Sequence, residues 1–275
     1  MANILERIVA FKKKEVENFK KELKQDVLVQ RTDILKMSQI APMSQILKKS
    51  TTGIIAEFIR KSPSTGWINN DANPSIIPIS YERNGASALS IVTDSYYFGG
   101  SNVHIRNAKL SKVSIPILYK DFIVDEYQIY QAKLYGASAI LLIASCLTKE
   151  ECQTFIDKAH ELQMEVLLEM NTEAETEYAE LRPDMCGINN RDPESSEIDV
   201  NKSFELFARL PVDSVKVSEG GLYDPNTVKQ LKAIGYNGFL IGEQFMRQPD
   251  PGLALNVFIS QLWTPTAPLT GSPTP

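Results

Sequence analysis

Apolar residues recur at helical spacing between Asn3 and Leu23, where Ile4, Leu5, Ile8, Val9, Phe11, Val16 and Phe19 are interleaved with lysines and glutamates. This predicts an amphipathic helix lying on other structure. A shorter polar stretch follows, and Ser44–Lys48 has the pattern of one more helical turn. After Gly53 the texture changes to short, near-continuous apolar runs: Ile54–Phe58, Ala88–Val92, Ile115–Leu118, Ala139–Ile143, Val166–Leu168, Met185–Ile188, Ser214–Val217 and Phe239–Ile241. Runs of this kind mark parallel strands buried on both faces. Between them lie segments long enough for a crossover helix: Pro74–Arg83, Asp125–Leu134, Lys149–Leu162, Thr172–Glu180, Lys202–Ala208 and Pro225–Ala233, with Leu253–Leu262 at the end. Only Ser101–Leu110 is weak as a helix.

The punctuation agrees with this alternation. Gly85, Gly136 and Gly235 each fall between a helix and a strand, where a positive φ is wanted, and Asn73-Pro74 and Asp224-Pro225 read as N-caps followed by proline at the first helical position. A strand–helix unit repeated eight times predicts an α/β fold, a closed (β/α)₈ TIM barrel with an N-terminal helical extension. The competing open, doubly wound sheet lacks its usual support, because no GxGxxG follows the first strand. The expected organisation is a single barrel domain over 1–262, with the extension at 1–50 and the barrel at 53–262. The residues at 263–275 are expected to be disordered, since TPTAPLTGSPTP is rich in proline and threonine.

Composition narrows the function. The 275 residues are 43% apolar and 23% charged, enough for a sizeable core without covalent staples. Thirty-four acids against 29 bases give a net charge of −5, which argues against nucleic acid as a partner but leaves room for a local basic pocket. Cys146, Cys152 and Cys186 form no ligand-spaced set with His104 or His160, so neither a metal site nor a disulfide framework is expected. No signal-peptide core and no run of about 18 apolar residues occurs, so the expectation is a cytoplasmic protein without a membrane partner, as a monomer or weak homodimer.

In a barrel, chemistry gathers where the strands end. Glu57, Lys120, Glu169, Asn189, Glu219 and Glu243 all lie inside or just after an apolar run, a costly place for a charge unless it is paired or used. One such residue is ordinarily a solvated rim group; their recurrence around one mouth favours a site. Gly220-Gly221 and Gly242 follow the last two strands, a common arrangement for holding phosphate, so the expected partner is a phosphorylated small molecule. His104 and His160 read as surface residues without a role, and Cys186 as packing. Trp67, in the first strand-to-helix loop, suits either a flap or an ordinary anchor of that loop.

The blocks IIAEFIRKSPSTG, LSIVTDSYYFGGS, PILYKDFIVDEYQIYQA, VLLEM, GINNRD, VSEGG and GFLIGEQFM stand in an order and spacing that resemble the indole-3-glycerol phosphate synthase family over nearly the whole chain. The resemblance implies cofactor-free closure of 1-(2-carboxyphenylamino)-1-deoxyribulose 5-phosphate to indole-3-glycerol phosphate, a carboxy-lyase reaction of tryptophan biosynthesis. By motif position it implies Lys120 as general acid, Glu169 as its acid–base counterpart, Glu57 as stabiliser of the charged intermediate and Asn189 as a hydrogen-bonding partner of the reacting substrate. Arg191, Glu219, Ser62 and Phe98 would contact substrate, with Phe98 walling the aromatic ring. Gly220, Gly221, Gly242 and Glu243 would surround the phosphate. Two positions depart from the family pattern: Ile59 stands where the family has a lysine, and Gly220 where it usually has a serine. Thr65, Tyr119 and the run Asn102-Val103-His104 differ more mildly. A slower synthase, a paralogue acting on another aminosugar phosphate, and a non-catalytic phosphate-binding barrel are the alternatives these departures raise.

Overall fold

Eight parallel strands close into a barrel in the computed structural model, which describes residues 3–35 and 41–263. They are β1 (Ile54–Phe58), β2 (Ala88–Val92), β3 (Ile117–Lys120), β4 (Ala139–Ile143), β5 (Glu165–Met170), β6 (Met185–Asn189), β7 (Val215–Glu219) and β8 (Gly238–Ile241). Each strand pairs with its sequence neighbours, and β1 closes the ring by pairing with β8, Ile55 opposite Leu240. A two-stranded ribbon, Lys61–Ser62 with Gly66–Trp67, rises from the loop after β1.

Successive side chains along a strand point to opposite faces, and here that rule separates two cores. Ile55, Leu118, Leu141, Leu167, Val217 and Leu240 fill the barrel interior, while Ile54, Phe58, Ile91, Ile140, Val166 and Phe239 belong to the layer between strands and helices. The interior is stoppered at one end by α3 (Met43–Lys49), whose Met43 and Leu47 are fully buried against it.

The helical layer consists of α4 (Ile77–Arg83), α5 (Asn102–Leu110), α6 (Glu126–Tyr135), α7 (Lys149–Glu161), α8 (Asn201–Glu205), α9 (Pro225–Ile234), α10 (Glu243–Met246) and α11 (Pro251–Leu262). Gly85, Gly136 and Gly235 do adopt positive φ, at 98°, 99° and 121°. Asp224 caps α9, its carboxylate accepting from the Asn226 N–H at 2.9 Å.

Before the barrel come α1 (Ile4–Glu22), closed by a capping box between Asn3 and Glu6, and α2 (Gln25–Leu35). The second of these corrects the reading of a plain polar stretch: Leu28 and Thr32 are buried, so a narrow contact stripe suffices to hold an otherwise polar helix. Four other expectations are corrected. The third strand runs two residues later than expected, because Pro116 has no N–H for the ladder; it therefore ends on Lys120. Ser101–Leu110, weak in sequence, forms α5, with the Ser101 hydroxyl accepting from the Val103 N–H and Ile105 and Ala108 buried. The helix expected from Pro74 starts at Ile77 after an irregular turn on Asn73. The segments at 172–180 and 202–208 are looser than helices of their length, a 3₁₀ run over Ala174–Leu181 and the short α8 followed by a 3₁₀ turn at Phe207–Arg209. Of the expected disordered tail, 264–275 lies outside the described residues. Among the described residues no helix is long and apolar enough to cross a membrane.

Candidate active site

The interior face of the barrel does not stay apolar to its end. Two residues beyond Ile55, Leu118, Leu167 and Val217 the same face carries Glu57, Lys120, Glu169 and Glu219, and on β6 it carries Asn189. Strand pairing therefore aims these side chains at one point. They line a cavity of about 450 Å³ over the carboxyl ends of the strands, and every site residue named from the sequence lies on its wall.

Lys120 is the centre of the polar floor. Its Nζ lies 3.0 Å from Glu57 Oε2 and 3.1 Å from Glu219 Oε2. Burial opposes the charge on Lys120, yet the fields of Glu57, Glu219 and Glu169 prevail and hold its ammonium well above the ordinary lysine range. Glu57 is steadied by the Ser90 hydroxyl, which donates to its Oε2 at 3.0 Å across the β1–β2 pair. Glu169 behaves differently. Burial, then repulsion from Glu219, push its carboxyl up to about 8, against the pull of Lys120 and of the Asn189 amide, which donates at 2.9 Å. Burial raises Glu219 as well, against the pull of Lys120. The floor thus combines a committed cation with one carboxyl, Glu169, whose proton affinity is raised towards neutrality, the pairing that acid–base chemistry requires.

Around the floor the mouth is held by amides and ion pairs. Asn189 Oδ1 accepts from the Arg191 N–H at 2.9 Å, and the Arg191 guanidinium reaches Glu243 at 3.3 Å. Glu243 also binds Arg247 and accepts from the Thr65 hydroxyl at 3.2 Å, so the ribbon after β1 is tied to the start of α10. Ser62, on that ribbon, accepts from the Thr65 N–H at 3.2 Å. Phe98 faces Phe122 with ring centroids 5.9 Å apart.

The glycines expected near phosphate have neighbours of their own. Gly220 has φ +80°, and a Cβ there would lie 2.7 Å from Asn189 Oδ1. At Gly242 a Cβ would come within 2.8 Å of Glu57, and at Gly221 within 2.1 Å of Ile198. Each glycine lets a side chain approach the backbone closely; at position 220 the beneficiary is Asn189 itself.

Ile59 is 8% exposed and lines the cavity, as its parity with Glu57 requires. Arg60 faces away, its guanidinium bonded to the Gly99 and Asn70 carbonyls and stacked 5.4 Å from the Trp67 ring centroid. It presents no charge to the cavity. Trp67 is half exposed and packed on that stack, which is the anchoring arrangement. His104 corrects the surface reading: it is buried edge-on against Phe58, and burial, with help from Arg60, lowers its pKa to about 4.

Sequence reasoning missed the supports. The Asn171 amide donates to the Asn189 and Arg191 carbonyls at 2.9 and 2.8 Å. Fully buried Asn190 joins the Gly220 carbonyl to Ser203 and Ser218. The doubled asparagine of GINNRD was the available signal for the second of these. Among the described residues, no group of three or more His, Cys, Asp or Glu is disposed to hold a metal ion.

The profile of the indole-3-glycerol phosphate synthase family matches residues 5–258. The chain belongs to that family. An indole-3-glycerol phosphate synthase of Bacteroides thetaiotaomicron is 47% identical over 262 residues, covering 95% of this chain and 100% of the relative. One of a Polaromonas species is 37% identical, covering 93% and 97%. A solved structure of 3-hexulose-6-phosphate synthase from Salmonella typhimurium superposes with a TM-score of 0.60 at 12% identity, covering 76% of this chain and 99% of that one, a likeness of fold alone.

Proposed function

We propose that the chain catalyses the decarboxylating ring closure of 1-(2-carboxyphenylamino)-1-deoxyribulose 5-phosphate to indole-3-glycerol phosphate, the reaction its curated relatives are named for. The observation that carries this reading is Lys120, an ammonium fixed between Glu57 and Glu219, with Glu169 held by the Asn189 amide in the same cavity.

In this scheme Lys120 protonates the ketone oxygen as the ring carbon bearing the carboxylate attacks the ketone carbon, forming the new carbon–carbon bond. Glu57 and Glu219 balance the positive charge that develops beside them. The carboxylate then leaves as carbon dioxide, its bonding pair restoring the aromatic ring. Glu169 donates its proton to the new hydroxyl, which departs as water while the nitrogen lone pair takes up the deficit. The resulting carboxylate removes one proton from the adjacent methylene, giving the indole. One proton is drawn from solvent to restore Lys120, matching the carboxylate lost. Asn189 keeps Glu169 oriented, Phe98 walls the ring, Ser62 and Arg191 contact substrate, and Gly220, Gly221, Gly242 and Glu243 lie about the phosphate. No cofactor or metal enters the scheme. A single barrel domain, a cytoplasmic setting and a monomer or weak homodimer belong to the same proposal.

The test is product formation followed by indole fluorescence in the chain as it stands, in Ile59→Lys and in Lys120→Ala. Turnover that disappears in Lys120→Ala supports the reading. A silent chain that gains activity with Ile59→Lys marks a synthase scaffold switched off at position 59. Silence in both overturns the reading.

A further inference from the structure

A second buried lysine stands beside the site, and nothing in the proposed chemistry uses it. Lys12, on the cavity side of α1, is 1% exposed. Its Nζ lies 2.8 Å from Asp94 Oδ2, 2.8 Å from Asp121 Oδ1 and 2.6 Å from Glu15 Oε2. Asp94 sits two residues past the end of β2, and Asp121 directly follows Lys120 at the end of β3. The ammonium therefore joins two strand-to-helix loops to a helix that a bare barrel does not have.

Both aspartates organise backbone as well as charge. Asp94 Oδ1 accepts from the Tyr97 and Phe98 N–H groups at 2.8 and 3.1 Å. Asp121 Oδ1 accepts from the Phe122 N–H at 2.8 Å, and its Oδ2 from the Thr93 hydroxyl at 2.8 Å. Phe98 and Phe122, the two rings that pack together on the cavity wall, are thus set by the two carboxylates that Lys12 holds together. Ile4, Leu5 and Ile8 of the same helix complete the apolar side of the cavity. Without the ammonium, two buried carboxylates would face each other unpaired, and the loops carrying the rings would part.

We infer that Lys12 is a positioning residue for the site: it straps α1 to the loops after β2 and β3 and so fixes an aryl-binding wall made of Phe98, Phe122 and the N-terminal helix. The inference rests on the proposed reaction only for its kinetic readout. The wall itself is a property of the chain and can be read without substrate.

The experiment compares Lys12→Met and Lys12→Arg with the parent by amide hydrogen exchange and by steady-state kinetics, well below the thermal midpoint of each. Lys12→Met should speed exchange at Tyr97, Phe98 and Phe122 by about tenfold or more over the change seen in β6, and raise KM by about tenfold with a smaller fall in kcat. Lys12→Arg should recover most of both, which general destabilisation would not predict. Unchanged exchange at those three amides, or an unchanged KM in folded Lys12→Met, would overturn the inference. If the parent chain forms no indole product, the proposed reaction has failed, and the exchange data alone decide the strap. If Lys12→Met does not fold, Lys12→Met/Asp121→Asn, which removes a carboxylate along with its cation, is read for exchange at Tyr97 and Phe98 in the same way.

Discussion

Lys12 and Lys120 both sit among carboxylates at the end of β3, Lys12 through Asp121, the residue after Lys120, and they differ in how far each is sealed. Around Lys12 the side chain is sealed, at 2% exposure, and both aspartates also accept backbone N–H or hydroxyl bonds. Around Lys120 the side chain is 21% exposed, and the residue lines the cavity. A charge cluster sealed away from the cavity is a fastener. One that opens onto the cavity can act on a molecule bound there.

Several substitutions would break or sharpen this contrast. The largest effect is expected at Lys120: replacement by Met should lower kcat by about 10³-fold, within the range for loss of a positioned acid. It should also cost about 3–5 kcal/mol in denaturant unfolding at neutral pH, since Glu57 and Glu219 lose their counter-ion. That stability cost should shrink in acid, where the carboxylates accept protons. Next comes Glu169. The folded chain keeps this proton up to a pH of about 8, whereas an unfolded chain releases it at the ordinary carboxyl value. Its contribution to stability is therefore present at low pH and falls as the pH rises through that window. The stability of the parent relative to Glu169→Gln should decline from pH 5 to pH 8, and a titration of unfolding midpoints that runs flat would refute the raised value. The kcat/KM profile of the parent should likewise inflect near pH 8, a feature missing from whatever activity Glu169→Gln retains. A smaller change is expected for Gly220→Ser, which puts a side chain on a left-handed backbone against Asn189 Oδ1. It should cost about 1–3 kcal/mol in thermal or chemical unfolding. Least of all, Lys149→Ala removes exposed ion pairs with Glu177 and Glu180 and should leave the unfolding midpoint and kcat where they were.

The contrast also separates what the sequence makes legible from what it hides. Glu57, Lys120, Glu169 and Glu219 stand out because each interrupts an apolar run at a strand end, and strand periodicity then sends them to one face. Lys12 stands in Phe11-Lys12-Lys13-Lys14-Glu15, where three lysines look alike; only docking of α1 on the loops after β2 and β3 selects the buried one. Asp94 and Asp121 likewise pass for rim residues until their partner is placed. Asn171 and Asn190 act through backbone carbonyls brought together by barrel closure, a contact with no local signature. The eight runs announce the barrel, but helix α5 is obscured because one of its three buried residues is His104, counted as polar.

Ile59 changes the medium as well as the charge. A buried aliphatic side chain beside the polar floor admits less water, and in a less polarisable surrounding the field of Lys120 is felt more strongly and over a longer reach. In the proposed reaction a carboxylate bound on that side of the cavity would meet a hydrocarbon neighbour. Poor solvation of that anion brings its ground state nearer to the uncharged carbon dioxide it becomes.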